Sequence, residues 1–391
     1  MEAVWADSRL DTSRVRIKAT VATGYTRFQD GDVLVPKITP TFEAGRSVPI
    51  SGLLGGVGAG TTELHVLRPT ESVDQSFLAY ITQSHPFLKF GEAEMYGVAG
   101  QKRVPDDFVR DFVVDLPPVE EQRRIVDFLD AETAHMAELR EGYERLRSLM
   151  TERWQVLTRR LVTGFDESHG DSGMAVSWLG RINPRWPITT IGRVSRTYMG
   201  TTFPHAYQGE TTGETPFIKV GDFGLADSRG WLSTAGNWVT RRVAKTLRAR
   251  VVPEGSVLYA RVGAAMLLNQ RRLTTRESIV DDNVRGIKFS GGDPRYWRYL
   301  LTLLDLGQLS NPGPVPSVSE SQVAAVPVPL PPEEEQLRIA HRLDEFNDEH
   351  SHLNQNLSNQ VALLKERRQA LITAAVTGQL DVTTARGSGL Q

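Results

Sequence analysis

The chain has 391 residues, 24% of them charged and 40% apolar, with a net charge of −2 and no cysteine. That length provides for two to three domains with cores of their own. The missing thiols exclude disulfides and thiolate zinc sites and fit a reducing compartment. The first residues, Met-Glu-Ala-Val-Trp-Ala-Asp, lack the basic flank and apolar run of a signal peptide. No apolar stretch reaches the roughly 20 residues that span a bilayer, so a cytoplasmic protein with no membrane association is expected.

Residues 1–115 read as a mixed region. Arg14-Val15-Arg16-Ile17-Lys18 alternates as a half-exposed strand would, and Gln29-Asp30-Gly31-Asp32 is a turn into the strand Val33-Leu34-Val35. Gly55 to Thr62 has the spacing of a phosphate-binding loop, but Thr61 stands where a lysine would reach the β- and γ-phosphates. A flexible glycine-rich turn is therefore expected. Asp74 to Thr82 predicts a short helix, followed by a loop with Gly97, Gly100, Gln101, Lys102 and Arg103.

Residues 114–164 open Val-Asp-Leu-Pro-Pro-Val-Glu-Glu-Gln-Arg-Arg-Ile and close Leu-Val-Thr-Gly. The same segment recurs without a gap 214 residues later, at 328–378, where identical pairs include Gln122/Gln336, Leu129/Leu343, Asp130/Asp344, Leu157/Leu371 and Gly164/Gly378. Prolines start each copy, where a missing N–H costs nothing. Glutamates then meet the helix dipole, and glycine ends each copy where a left-handed cap is expected. Apolar steps of three and four residues between those ends predict helices that pair as a coiled coil, each roughly 60–65 Å long at about 1.5 Å per residue. Leu129, Leu139, Leu146 and Leu157 of the first copy, with Leu343, Leu353, Leu357 and Leu371 of the second, are the candidate interface positions.

Residues 166–177 read as a Gly/Ser/Asp/Glu linker and 178–327 as a second mixed region. Pro216–Val220, Ser256–Ala260 and Val284–Phe289 are its strand-like pieces, and Trp297–Leu304 its helix. Residues 237–276 carry nine basic side chains against Glu254 alone, a local balance of 9 − 1 = +8 that marks a candidate polyanion surface. The second region echoes the first: Asp30-Gly31-Asp32-Val33-Leu34 corresponds to Glu254-Gly255-Ser256-Val257-Leu258, and Asp74–Ile81 to Asp293–Leu300, with Tyr80 on Tyr299. The fold class is α+β, a pseudo-twofold tandem duplication. Two mixed α/β domains (1–115 and 178–327) alternate with two long helices (116–165 and 328–380), pairing as an antiparallel coiled coil, before a tail at 381–391.

The repeated Leu-Pro-Pro-x-Glu-Glu-Gln-x-x-Ile start, the long helix and the Val-Thr-Gly end resemble the specificity (S) subunits of type I restriction–modification systems. Trp178-Leu179-Gly180-Arg181-Ile182-Asn183-Pro184-Arg185-Trp186 is similar to the opening of that family's target-recognition domains. The resemblance implies that each mixed region reads one half of a bipartite double-stranded DNA site. It also implies that the helices space the readers and dock methyltransferase (M) subunits, two of them, and that restriction (R) subunits complete a cleaving complex. S-adenosylmethionine, ATP and Mg would then be held by those partners, and this chain would carry no cofactor or metal. The first domain lacks a counterpart of the Trp178–Trp186 opening and of Pro216–Val220, so an upstream start or a truncated allele is expected.

On that reading the candidate DNA contacts are Lys37, Arg46, Gln101, Lys102 and Arg103 in the first domain. In the second they are Tyr198, Thr201, Thr202, Lys219, Arg241, Arg242, Lys245, Arg261, Arg271 and Arg272, the arginines suited to phosphate or bidentate guanine contacts. Catalytic chemistry is not expected. The Pro-Pro pairs follow Leu116 and Leu330 rather than Asn or Asp, Asp106/Asp107 and Asp281/Asp282 lack a following Glu-x-Lys, and the eight histidines form no i, i+4 pair. A coiled-coil scaffold binding only protein is the competing reading, and a nucleotide-dependent enzyme, disfavoured by Thr61, is a third.

Overall fold

The computed structural model describes residues 10–17, 21, 23–98, 100–165, 174–311 and 313–382. The chain divides into two compact units, one of residues 1–145 with 357–391 and the other of residues 146–356. Both long helices run through that division, so each unit holds part of each.

In the first unit β1 (Thr26–Gln29), β2 (Val33–Pro36), β3 (Val48–Pro49), β4 (Val57–Gly60) and β5 (Leu64–Leu67) precede α1 (Gln75–Gln83), α2 (His85–Ala93) and α3 (Asp106–Asp111). The long α4 (Val119–Thr163) follows. β2 is the centre of a three-stranded antiparallel sheet, β3-β2-β5, and β1 pairs with β4. The four residues of β2 are all buried, as a central strand of Val-Leu-Val-Pro requires. Asp74 caps α1, its carboxylate accepting from the backbone N–H of Ser76 and Phe77. α1 buries Phe77, Tyr80 and Ile81 against Ile125, Val126 and Leu129 of α4 and Ile372, Ala375 and Val376 near the chain's C-terminal end.

The glycine-rich stretch differs from the turn expected there, because Val57–Gly60 is strand. The glycines are needed for closeness: a Cβ on Gly58 would lie 2.3 Å from the Phe28 ring, and one on Gly60 3.0 Å from Leu64. Of the strand expected at 14–18, residues 14–17 are exposed and outside any strand, and Lys18 lies outside the described residues.

The second unit opens with β6 (Met174–Val176), β7 (Gly180–Ile182), β8 (Ile188–Thr190), α5 (Ile191–Val194), β9 (Ser195–Met199) and β10 (Thr215–Ile218). Next come β11 (Trp231–Leu232), β12 (Trp238–Val239), α6 (Arg241–Thr246), β13 (Val257–Ala260), α7 (Gly263–Leu267), β14 (Arg271–Thr274), β15 (Ile279–Val280) and β16 (Val284–Phe289). It closes with α8 (Pro294–Thr302), α9 (Leu306–Leu309), α10 (Glu320–Ala324), β17 (Pro327–Pro329) and the long α11 (Glu333–Val376). Its main sheet has the order β11-β14-β13-β16-β9. The inner trio β14-β13-β16 repeats β3-β2-β5, since β13 follows Glu254-Gly255-Ser256 as β2 follows Asp30-Gly31-Asp32. Two further strands, β11 and β9, flank it. Tyr296, Trp297 and Leu300 of α8 pack with Val162 of α4 and with Ile339 and Leu343 of α11.

The long helices begin and end as expected. Glu120/Glu121 and Glu333–Glu335 occupy the first turns, and Gly164 and Gly378 adopt φ of 57° and 71°. Within the second unit the helices are antiparallel: Arg147 donates to Asn354 at 3.0 Å, and the Trp154 and His350 rings lie 6.1 Å apart. The seam is not continuous. Leu129 and Leu343 are fully buried, but Leu139, Leu146 and Leu353 are 38%, 46% and 42% exposed, a correction to the coiled-coil seam expected there. Leu157, Leu357 and Leu371 are half-buried. Helices α1 and α8 bury apolar positions near the ends of the long helices, whereas Leu139, Leu146 and Leu353 between them lack that cover. Of the linker expected at 166–177, residues 166–173 lie outside the described residues, while Met174–Val176 are strand β6 paired with β7, a correction to that expectation; 383–391 of the tail also lie outside the described residues.

Candidate nucleic-acid interface

The repeated motif turns out to fasten each domain to its helix. In the first unit Gln122, fully buried, accepts from the backbone N–H of Asp74 at 2.8 Å and donates to the carbonyls of Ser72 and Pro117. Gln336 donates to the carbonyl of Pro331, the counterpart of Pro117. One turn or two further along, Tyr80 Oη donates to Asp130 Oδ1 at 2.6 Å, and Tyr299 Oη donates to Asp344 Oδ1 at 2.8 Å. Burial and the neighbouring carboxylate push both phenols well above their ordinary pKa. These polar anchors were visible as matched letters, but matched letters do not say what bonds to what.

Fastened in this way, each sheet presents a polar rim at the end of its central strand. In the first unit Lys37 follows β2 and pairs with Asp106 at 2.8 Å, while Asp106 also meets His65 Nδ1 at 3.0 Å. Arg103 forms a two-pronged pair with Glu63 at 2.7 and 2.8 Å and bridges backbone with Ile38. Lys102 accepts from Thr39 N–H through its carbonyl, so Lys37, Gln101, Lys102 and Arg103 form one cluster, with Gln101 and Lys102 exposed. The Lys37 ammonium holds Asp106 below the usual carboxylate range, Arg103 does the same to Glu63, and burial lowers His65. Arg46 sits away from this cluster, half-buried, its backbone N–H bonded to the carbonyl of Thr41.

In the second unit Arg261 follows β13 as Lys37 follows β2. Its Nε donates to the Asp282 carbonyl at 3.1 Å, and Thr202 Oγ1 donates to Asp282 Oδ2 at 3.4 Å. Thr201 bridges Asp281, and a Cβ on Gly200 would lie 1.8 Å from the Asp281 carbonyl, so only glycine lets these loops meet. Burial raises the pKa of Asp281. Lys219 donates to Gln208 at 3.1 Å next to Ile218, whose carbonyl accepts from Asp281 N–H. Arg196 lies over Tyr198 on the adjoining strand. Arg241, Arg242 and Lys245 are exposed on α6, which follows β12, and Arg276 lies over the β12 ring of Trp238 at 5.8 Å.

Two sequence candidates are corrected. Arg271 is only 3% exposed and donates to the carbonyls of Leu304 and Gln270. Arg272 is half-buried and donates to the carbonyls of Phe223 and Arg271. Burial lowers both guanidinium pKa values to about 10. They sit on β14, inside the sheet stack, where they satisfy carbonyls instead of facing solvent. Alternation within Arg-Arg-Leu-Thr could not reveal that both faces of this strand are covered.

The rims offer cations, amides and hydroxyls on rigid strand ends, the groups that bind phosphates and base edges. Among the described residues, no three His, Asp or Glu side chains converge as a metal cluster, and no helix is long and apolar enough to cross a membrane.

Residues 185–363 match the family model of the type I restriction modification DNA specificity domain. The chain is 47% identical over 107 residues to the type I restriction enzyme EcoAI specificity subunit of Escherichia coli, and 49% identical over 107 residues to the EcoEI specificity subunit of the same organism. Each match spans 27% of this chain and 18% of the relative, so less than a fifth of those relatives' length is matched. A chain from a structure described as the basis of complex assembly and conformational transition of the type I R-M system is similar in fold. Its TM-score is 0.69 at 21% identity, covering 92% of this chain and 85% of that one. Residues 185–363, somewhat under half of the chain, thus resemble a type I DNA specificity domain, and the chain shares its fold with that solved structure.

Proposed function

We propose that this chain reads a bipartite double-stranded DNA target, one half-site per unit, and positions partner subunits that modify and cleave. The observation that supports this reading most is the internal duplication. The same Tyr–Asp anchor (Tyr80/Asp130 and Tyr299/Asp344) holds a domain to a long helix in each unit, Gln122 and Gln336 each close the Pro-Pro start of the helix, and a basic residue, Lys37 or Arg261, follows each central strand. The readers are domains 1–115 and 178–327, and helices 116–165 and 328–380 are the spacers. Lys37, Gln101, Lys102 and Arg103 form one contact face; Thr201, Thr202, Lys219 and Arg261, with Arg241, Arg242 and Lys245, form the other.

Two M subunits dock on the helices, where Leu139, Leu146 and Leu353 are exposed, and R subunits join them. Methyl transfer and cleavage, with S-adenosylmethionine, ATP and Mg, belong to those partners; this chain is non-catalytic and works in the cytoplasm. The test is anisotropy with a DNA duplex of the host's methylated site. Affinity should fall with rising salt, with a slope of about −0.9 per phosphate neutralised, and Arg261→Ala should flatten that slope by about one phosphate. A salt-independent response, or no binding, rejects the DNA reading in favour of a protein-binding scaffold.

A further inference from the structure

In the second unit an acidic helix wall meets a basic loop. The loop before β11 crosses α11: Ser228 Oγ donates to Asp348 Oδ1 at 2.9 Å, and Arg229 pairs with Asp348 at 2.7 Å. Asn347 donates to the Ser228 carbonyl, and Arg295 of α8 adds a cation 2.8 Å from Asp344.

The duplication reverses that charge in the first unit. At the helix offset of 214, Asp344 corresponds to Asp130 but Asp348 to Ala134, so one carboxylate is gone. Asn354, Thr151 and Trp154 correspond to Arg140, Lys365 and Arg368, so three uncharged positions become cations. In the domain helix Arg295 and Arg298 correspond to Ser76 and Ala79, whose short side chains leave space. Those first-unit residues all line a groove of about 630 Å³, a volume of the size that binding pockets have. Its described lining carries three cations against one carboxylate, a balance of +2, and the domain side contributes no charge. Arg368 donates to Gln83 Oε1 at 2.7 Å, which aims its guanidinium, and Arg140 lies 3.9 Å from the exposed Glu144. Ala134 and Lys365 are exposed.

We propose that this groove docks an acidic loop of a protein partner, which lies across the first unit's helices as Ser228 and Arg229 lie across α11. Lys365 and Arg368 face its carboxylates, and Ala79 and Ala134 admit its main chain. A basic loop like that of the second unit would meet like charge and find only Asp130 to pair with, which costs affinity. The site uses neither Lys37 nor Arg261, so it stands whether or not the DNA reading does.

The test uses fluorescein-labelled hexaglutamate as the probe, titrated against the full chain at low ionic strength, where charge pairing is least screened. It should bind more tightly than hexalysine and slow hydrogen exchange at residues 130–140 and 361–369. Ala134→Asp, which restores the carboxylate of the second unit at an exposed position, should weaken it about threefold, and Lys365→Glu about tenfold. Both variants should bind duplex DNA as the parent does. Hexaglutamate affinity that neither substitution changes overturns the proposal, as does equal or tighter binding of hexalysine. Loss of duplex binding in both variants would assign the groove to DNA. Self-association of the parent chain that Lys365→Glu abolishes would assign it to a second copy, and either result also overturns the proposal.

Discussion

In the unit of residues 146–356, Asp344 is 2% exposed and accepts from both Tyr299 and Arg295 at 2.8 Å, with Arg229 nearby. Its counterpart Asp130 is exposed and accepts from Tyr80 at 2.6 Å, with Thr133 adjacent. The same two letters thus make a buried charge cluster in one unit and a surface hydrogen bond in the other. The sheets differ in the same direction, five strands against three. A duplicated anchor keeps its geometry while the structure around it sets its energetic weight. Removing one member of a buried pair strands the other charge, whereas an exposed carboxylate is rehydrated.

That contrast predicts the largest effect. Asp344→Ala should destabilise the second unit by about 3–5 kcal/mol and Asp130→Ala the first by only about 1 kcal/mol, measured by denaturant unfolding followed by hydrogen exchange in each unit. Equal losses would show that burial does not set the difference. The helix caps sharpen the comparison. A Cβ on Gly164 would come 2.2 Å from the Trp186 ring, whereas none of the described atoms lies within 4 Å of one on Gly378. Gly164→Ala should therefore cost about 2–4 kcal/mol and Gly378→Ala about 1 kcal/mol from φ alone, read as thermal midpoints.

A third contrast concerns acid. Asp32 is fully buried and bonds Arg68 through both its oxygens, and that hydrogen bond holds its pKa below the ordinary value. The equivalent position in the second unit is Ser256, which has no charge to lose. A depressed folded pKa stabilises above the unfolded value of about 4, and the contribution disappears as pH falls through the folded value. Amides of β2 should lose protection below about pH 4 before those of β13 do, and Asp32→Asn should remove that difference. Simultaneous loss would contradict the assignment.

The smallest contrast separates structure from contact. Arg271→Ala should lower the second unit's stability, because the Leu304 and Gln270 carbonyls lose their donor. Arg261→Ala should leave the melting temperature within a degree or two and weaken DNA binding.

Much of this was legible beforehand. The repeat at offset 214, the Pro-Pro starts, the glycine caps and the pairing of Tyr80 with Tyr299 were all readable, because punctuation and repetition are local. Cover by a neighbour was not. Leu139 and Leu353 continue a heptad yet lie exposed, and Arg271 sits in a basic run yet is buried. Both outcomes depend on which element lies above the residue, which spacing along one chain does not encode. The role of Gln122 and Gln336 was hidden for the same reason: their partners Ser72, Pro117 and Pro331 are backbone carbonyls, which leave no letter in the sequence.

The central claim is that two units of one chain each read half of a DNA site. Base-modification sequencing of a host expressing this chain with the methyltransferase subunit proposed as its partner tests that most directly. The account predicts a bipartite methylated motif that vanishes when the chain is deleted, with one half changing identity in an Arg261→Ala strain and the other in a Lys37→Ala strain. A motif that persists without the chain, or one whose halves ignore both substitutions, would contradict it.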